Sequence, residues 1–133
     1  MGQTINLTAM TPLTPDQTLE VSGIIPAKAK YITLGLGKNM NDLAFYMEVR
    51  FEKNELVFNT REDCNWGKEI VKANPFVEGG RFEVRVDYTE HNFVAIINGK
   101  ETTIPNKKKI YKTEMVLLNC DLILQGFNVK PTH

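Results

Sequence analysis

Seven side chains near the middle of the chain have the types and spacing to hold a polyhydroxylated ligand. Tyr46, Glu48 and Arg50 alternate along one stretch, and Asn59 follows after a short turn. Trp66, the only tryptophan, comes next, with Glu69 and Val71 just behind it. Together they offer an aromatic plate, two carboxylates, a guanidinium and an amide. A pyranose has an apolar face of C–H groups that stacks on indole, while its hydroxyls need aimed donors and acceptors. Arg50 supplies a rigid fork of donors, Glu69 accepts, and Asn59 does both. Glu48 either orients Arg50 or accepts a hydroxyl itself. The chemistry this set points to is sugar binding. A plainer account of the same residues exists: a lone Trp at a strand start is commonly core, and Glu beside Arg on one strand face is commonly a solvated pair.

Competing chemistries fit less well. Two carboxylates flanking a sugar are what glycoside hydrolysis needs, and Glu48 and Glu69 supply a pair. The guanidinium of Arg50 between them favours two ionised carboxylates, where that mechanism requires one protonated acid. The chain is therefore expected not to be an enzyme. His91 has no second ligand at metal spacing and His133 is terminal, so no metal site and no cofactor are expected. Cys64 and Cys120 form no short-spaced metal motif and are too few for a disulfide scaffold, so both read as free thiols in a reducing compartment. Lys107-Lys108-Lys109 reads as a solvated basic loop.

The elements that must position these residues are strands. Residues 43–51 alternate, with Leu43, Phe45, Met47, Val49 and Phe51 expected on the core face and Ala44, Tyr46, Glu48 and Arg50 outward. Leu56, Phe58 and Thr60 continue the core face one strand later, leaving Val57, Asn59 and Arg61 outward. Neighbouring strands lie about 4.8 Å apart, so the two outward rows merge into one surface. If Ile70 faces the core, Glu69 and Val71 join that surface. Residues 81–88 alternate without a break, and further strands are expected at 18–25, 31–36, 92–97, 101–104, 115–118 and 122–130. Asn98-Gly99 suits a type I′ hairpin turn. About ten short strands at this spacing, with no long helix, argue for an antiparallel sandwich.

Composition bounds the partners. The chain has 133 residues, 16 basic and 16 acidic, so its formal net charge is zero. No global field attracts nucleic acid or an anionic membrane. Hydrophobic residues make up 42%, enough for a core, yet no apolar run approaches a membrane span. The first residues lack a basic region followed by an apolar one, so no secretory signal is read there, and a cytoplasmic protein is expected. There is no linker, internal repeat or low-complexity stretch, and residues 1–133 read as a single domain.

The residues that suggest a sugar also resemble a family. Residues 43–51, then Val57-Phe58-Asn59, then Trp66-Gly67-Lys68-Glu69, resemble the carbohydrate-recognition domain of galectins. The likeness extends to Leu19-Glu20-Val21-Ser22-Gly23-Ile24-Ile25, to Asn74-Pro75-Phe76 with Gly79, and to Ile104-Pro105-Asn106. The resemblance implies a jelly-roll-like sandwich of two antiparallel sheets, with a β-galactoside groove across the concave sheet. It also implies free cysteines, and release to the outside, if any, without a signal peptide. The family motif reads His-x-Asn-x-Arg, then Asn, then Trp-x-x-Glu-x-Arg. Arg50, Asn59, Trp66 and Glu69 match it. Tyr46, Glu48 and Val71 depart from it, so the pair that reads the axial O4 hydroxyl and the Arg that helps hold the adjoining sugar are gone.

Each lost hydrogen bond to a charged group costs roughly 1.5–3 kcal/mol. Simple lactose should therefore bind weakly or not at all. A lectin with altered or weakened β-galactoside preference is expected, crosslinking glycans as a homodimer. The alternative is a galectin-fold structural or interaction protein that has given up sugar. Residues 115–118 and 122–124 hardly alternate, and many single-domain galectins pair through their terminal strands, which together suggest the dimer.

Overall fold

A computed structural model of the chain describes residues 4–107 and 109–132, the side chains of residues 4–7 and 120 excepted. Lys108, His133 and the thiol of Cys120 thus lie outside the described residues. Among the described residues twelve strands follow one another. They are β1 (Thr4–Ala9), β2 (Gln17–Ile24), β3 (Tyr31–Asn39), β4 (Asp42–Arg50), β5 (Glu55–Glu62) and β6 (Asn65–Trp66). Then come β7 (Ile70–Ala73), β8 (Arg81–Tyr88), β9 (Asn92–Ile97), β10 (Lys100–Pro105), β11 (Met115–Asp121) and β12 (Ile123–Pro131). One sheet runs β1-β11-β3-β4-β5-β6, with β7 also paired to β5, and the other runs β10-β9-β8-β2-β12. Every strand pair is antiparallel. The chain is all-β, a jelly-roll-like sandwich.

Period-two alternation explains the packing. On β8, Phe82, Val84, Val86 and Tyr88 are buried while Arg81 and Glu83 are exposed. The inner faces of the two sheets meet in one core, where Phe45 of β4 touches Phe93 of β9 with ring centroids 5.7 Å apart. Burying such a ring contributes about 1.5–3 kcal/mol, so this contact layer ties sheet to sheet. Among the described residues no helix is long and apolar enough to cross a membrane.

Two details differ from the alternation pattern. Leu43 does not share the core face of Phe45. Along the β4–β5 ladder Leu43 pairs with Arg61 and Tyr46 with Asn59, which leaves two residues on β4 against one on β5. This bulge at residues 44–45 turns Ala44 into the main core and sends Leu43 to the opposite face, against Met115, Leu117 and Tyr46. The second difference concerns residues 115–118. All four are buried within this chain, because β11 is an interior strand between β1 and β3. Their lack of alternation needs no second subunit.

Two tight turns set register. Asn98 and Gly99 have φ of 50° and 78°, as a type I′ hairpin requires. Asp63 and Cys64, at 49° and 69°, make a second two-residue turn between β5 and β6, which pairs Glu62 with Asn65. That turn carries no Asn-Gly or Asp-Gly signal. It folds Trp66 back beside Arg61.

Candidate functional site

The ladders of β4, β5, β6 and β7 bring the candidate side chains to one face. Tyr46 lies opposite Asn59, Glu48 opposite Val57, and Arg50 opposite Glu55. Directly opposed residues of an antiparallel pair share a face, so β4 and β5 present a single surface. Trp66 pairs with Arg61 across the tight turn, and Val71 pairs with Val57 farther along the same edge of β5. The result is an open groove of about 400 Å³ lined by Tyr46, Glu48, Arg50, Val57, Asn59, Trp66, Gly67 and Glu69. Six of the seven candidates line it. Val71 does not; it sits just beyond Val57 on an edge strand. Ile70 takes the core side with Phe58 but stays 40% exposed, because β7 has no outer neighbour.

Glycine fits closely at one point of the wall. The Gly67 N–H donates to the Thr60 carbonyl at 2.9 Å, which draws the chain after Trp66 tight against β5. A Cβ there would meet Thr60 Oγ1 at 3.0 Å and Asn59 Oδ1 at 3.2 Å. Asn59 itself is buried, and its Oδ1 accepts the Thr60 N–H at 2.8 Å. Its amide is thus held in one orientation in the groove lining.

Arg50 is the electrostatic centre of the groove. Its Nε donates to Glu48 Oε1 and its Nη2 to Glu69 Oε2, both at 2.8 Å. A third carboxylate, Glu55, stands 3.8 Å from Nη1. The hydrogen bonds to Glu69 and Glu48, in that order of strength, raise the guanidinium's pKa well above its ordinary value. Three carboxylates around one cation leave the immediate cluster negative. A ligand hydroxyl that seeks Arg50 must share it with groups already bonded at charge-assisted distance.

The aromatic plate is half open. Trp66 is 46% exposed, which excludes the reading of this residue as core. Tyr46 approaches it edge-on, with ring centroids 4.6 Å apart and planes at 60°. Arg61 holds its guanidinium 5.1 Å from the indole centroid, a cation–π distance, while its Nη1 donates to the Met40 carbonyl at 3.1 Å. Period two places Arg61 on the outward row, but nothing local in the sequence shows that a turn will return Trp66 beside it. Cys64, in that turn, is an exposed free thiol. Among the described residues no group of three or more His, Cys, Asp or Glu has the arrangement to hold a metal ion.

Comparison with known proteins accords with this fold. A family model described as galactoside-binding lectin matches residues 4–128. Mouse galectin-1 is 34% identical over 101 residues, covering 71% of this chain and 75% of that protein. A 32 kDa β-galactoside-binding lectin of Caenorhabditis elegans is 32% identical over 92 residues, 65% of this chain; the match spans only 33% of that relative. Among solved structures, CG-16, a homodimeric agglutinin from chicken liver, superposes with a TM-score of 0.87 at 24% identity, covering 96% of this chain and all of the other.

Proposed function

The chain belongs to the galectin family of galactoside-binding lectins, and from that premise we propose that its groove over β4, β5 and β6 binds glycans with a shifted preference. The observation that carries this reading is the half-exposed indole of Trp66 opening onto the same groove as Arg50, Asn59 and Glu69. An exposed tryptophan beside aimed polar groups suits a ring with one apolar face and a hydroxylated rim. Tyr46 and Glu48 change what that rim can be. Glu48 accepts but never donates, and it already holds Arg50 Nε. Acceptors for ligand hydroxyls are plentiful here, and free charged donors are scarce. The same ion pair supports the second reading, a galectin-fold interaction protein without a sugar. Both readings are of a binding protein: Glu48 and Glu69 are each tied to one guanidinium, which disfavours the free proton donor that glycoside hydrolysis needs. The exposed thiol of Cys64 supports a reducing, cytoplasmic setting. A glycan array probed with the protein tests the two readings against each other. Binding to a restricted set of glycans, with plain lactose near background, supports the lectin; an array blank throughout overturns it.

Assembly belongs to the same proposal. β1 and β12 are edge strands of different sheets and approach one another at one end of the sandwich. A two-fold pairing of those edges covers unpaired backbone in both sheets at once and points two grooves outward. Glycans on separate surfaces are then crosslinked, with avidity above that of one groove. Sedimentation at high micromolar concentration is expected to give a dimer; a monomer under those conditions counts against it.

A further inference from the structure

The polar inventory of the groove ends on its β7 side. At the level of Glu48 the residues that follow across the sheet are Val57 and Val71. At the level of Arg50 they are Glu55 and Ala73. Lys72 alternates to the other face of β7, paired with the core residue Leu56, so it adds no donor here. The side chains that β7 presents beside the groove are thus Val71 and Ala73, methyl groups only. Val57 is 1% exposed beneath, and Val71 is 49% exposed beside it. The charged donor that lines the groove belongs to Arg50, whose Nε and Nη2 are held by Glu48 and Glu69.

A ring stacked on Trp66 can extend toward β7. Tyr46 walls the plate on the β4 side at 4.6 Å between centroids. Toward β7 the wall is Gly67, which has no side chain to obstruct, and then Glu69, whose carboxylate is drawn aside onto Arg50 Nη2. A substituent leaving the ring that way runs over Val57 and onto Val71. If it is a second hydroxylated ring, its hydroxyls lose water and find no partner, which is costly. If it is apolar, it covers exposed methyl groups and gains.

We infer that Val71, backed by the buried Val57, forms an apolar subsite that takes the alkyl or aryl aglycone of an amphiphilic glycoside in place of a second sugar. The inference rests on the reading of the groove as a sugar site and adds the class of substituent that sugar carries. It makes Val71 a specificity-determining residue for that class. Titration calorimetry with methyl, hexyl and phenyl β-galactosides, lactose and free hexanol tests it. Hexyl and phenyl galactosides are expected to bind at least about fivefold tighter than methyl galactoside, the scale set by burying a few carbons on apolar side chains. In Val71→Ser the ratio of hexyl to methyl affinity should fall below about two. A ratio near one in the original chain, or one that Val71→Ser leaves intact, overturns the subsite while the sugar reading stands. Hexanol binding as tightly as hexyl galactoside also overturns it, since the chain then adsorbs without the ring. No binding by any of these galactosides overturns the subsite, and with a blank glycan array the sugar reading falls with it.

Discussion

Replacing Tyr46→His, Glu48→Asn and Val71→Arg together is expected to raise lactose affinity at least tenfold, about 1.4 kcal/mol. The largest share should come from Glu48→Asn. In the protein as it stands Arg50 gives Nε to Glu48 and Nη2 to Glu69, each at 2.8 Å. An asparagine at 48 removes one competing charge and adds a donor, so the guanidinium can turn one N–H to a ligand oxygen. Hydrogen bonds to charged groups contribute roughly 1.5–3 kcal/mol, which leaves room for a tenfold gain after losses elsewhere. Tyr46→His withdraws the phenol that lies against Trp66 and opens the plate. Val71→Arg replaces methyl groups with a donor fork where a second sugar ring would lie. Lactose calorimetry on both proteins decides the matter. Lactose bound tightly by the original chain, or no better by the triple variant, means that Glu48 and Tyr46 do not restrain the groove.

What was legible in the sequence follows from the range over which each feature is encoded. Strand β8 falls at residues 81–88 as expected, because its alternation is complete within itself. Asn98-Gly99 announced its own turn, since those residues tolerate positive φ. The meeting of Tyr46, Glu48 and Arg50 with Asn59 needed only a short hairpin to fix register, and the structure has it. The features missed depend on partners distant in the chain. The bulge at residues 44–45 exists in the mismatch between β4 and β5, and alternation on β4 alone gives Leu43 the wrong face. Strand β1 pairs with β11 more than a hundred residues later, and six residues at the start of a chain carry little signal of that. The clasp of Arg61 on Trp66 hinges on Asp63 and Cys64 taking left-handed backbone, for which Cys gives no warning. Register explains the groove; the electrostatics of Arg50 required coordinates.

Trp66→Ala is expected to weaken the best glycan ligand by about 1–3 kcal/mol, by analogy with the range for a nucleobase that loses its aromatic stacking partner. That is roughly fivefold to more than a hundredfold in affinity. Stability should change far less. The indole is 46% exposed, so its removal leaves no closed cavity in the core between the sheets, and the cost of a core aromatic truncation does not apply. What the fold loses is the contact with Arg61 and the edge contact with Tyr46. A cation–π pair at a partly exposed site contributes about 0.5–1 kcal/mol, and Arg61 keeps its hydrogen bond to the Met40 carbonyl in compensation. The β5–β6 turn is held independently, by the Asp63 N–H donating to Asp42 and the Cys64 N–H to Asn41. Thermal unfolding of Trp66→Ala should therefore shift by only a few degrees, the scale of a change near 1 kcal/mol in a domain of this size. Calorimetric titration with the strongest array ligand, beside a melting curve, separates the two effects. Full affinity in the variant removes Trp66 from the binding surface, and outright unfolding makes it a structural residue. Lost affinity on an intact fold is the signature of a plate that works by stacking, because only the ligand then covers the half of the ring the protein leaves bare.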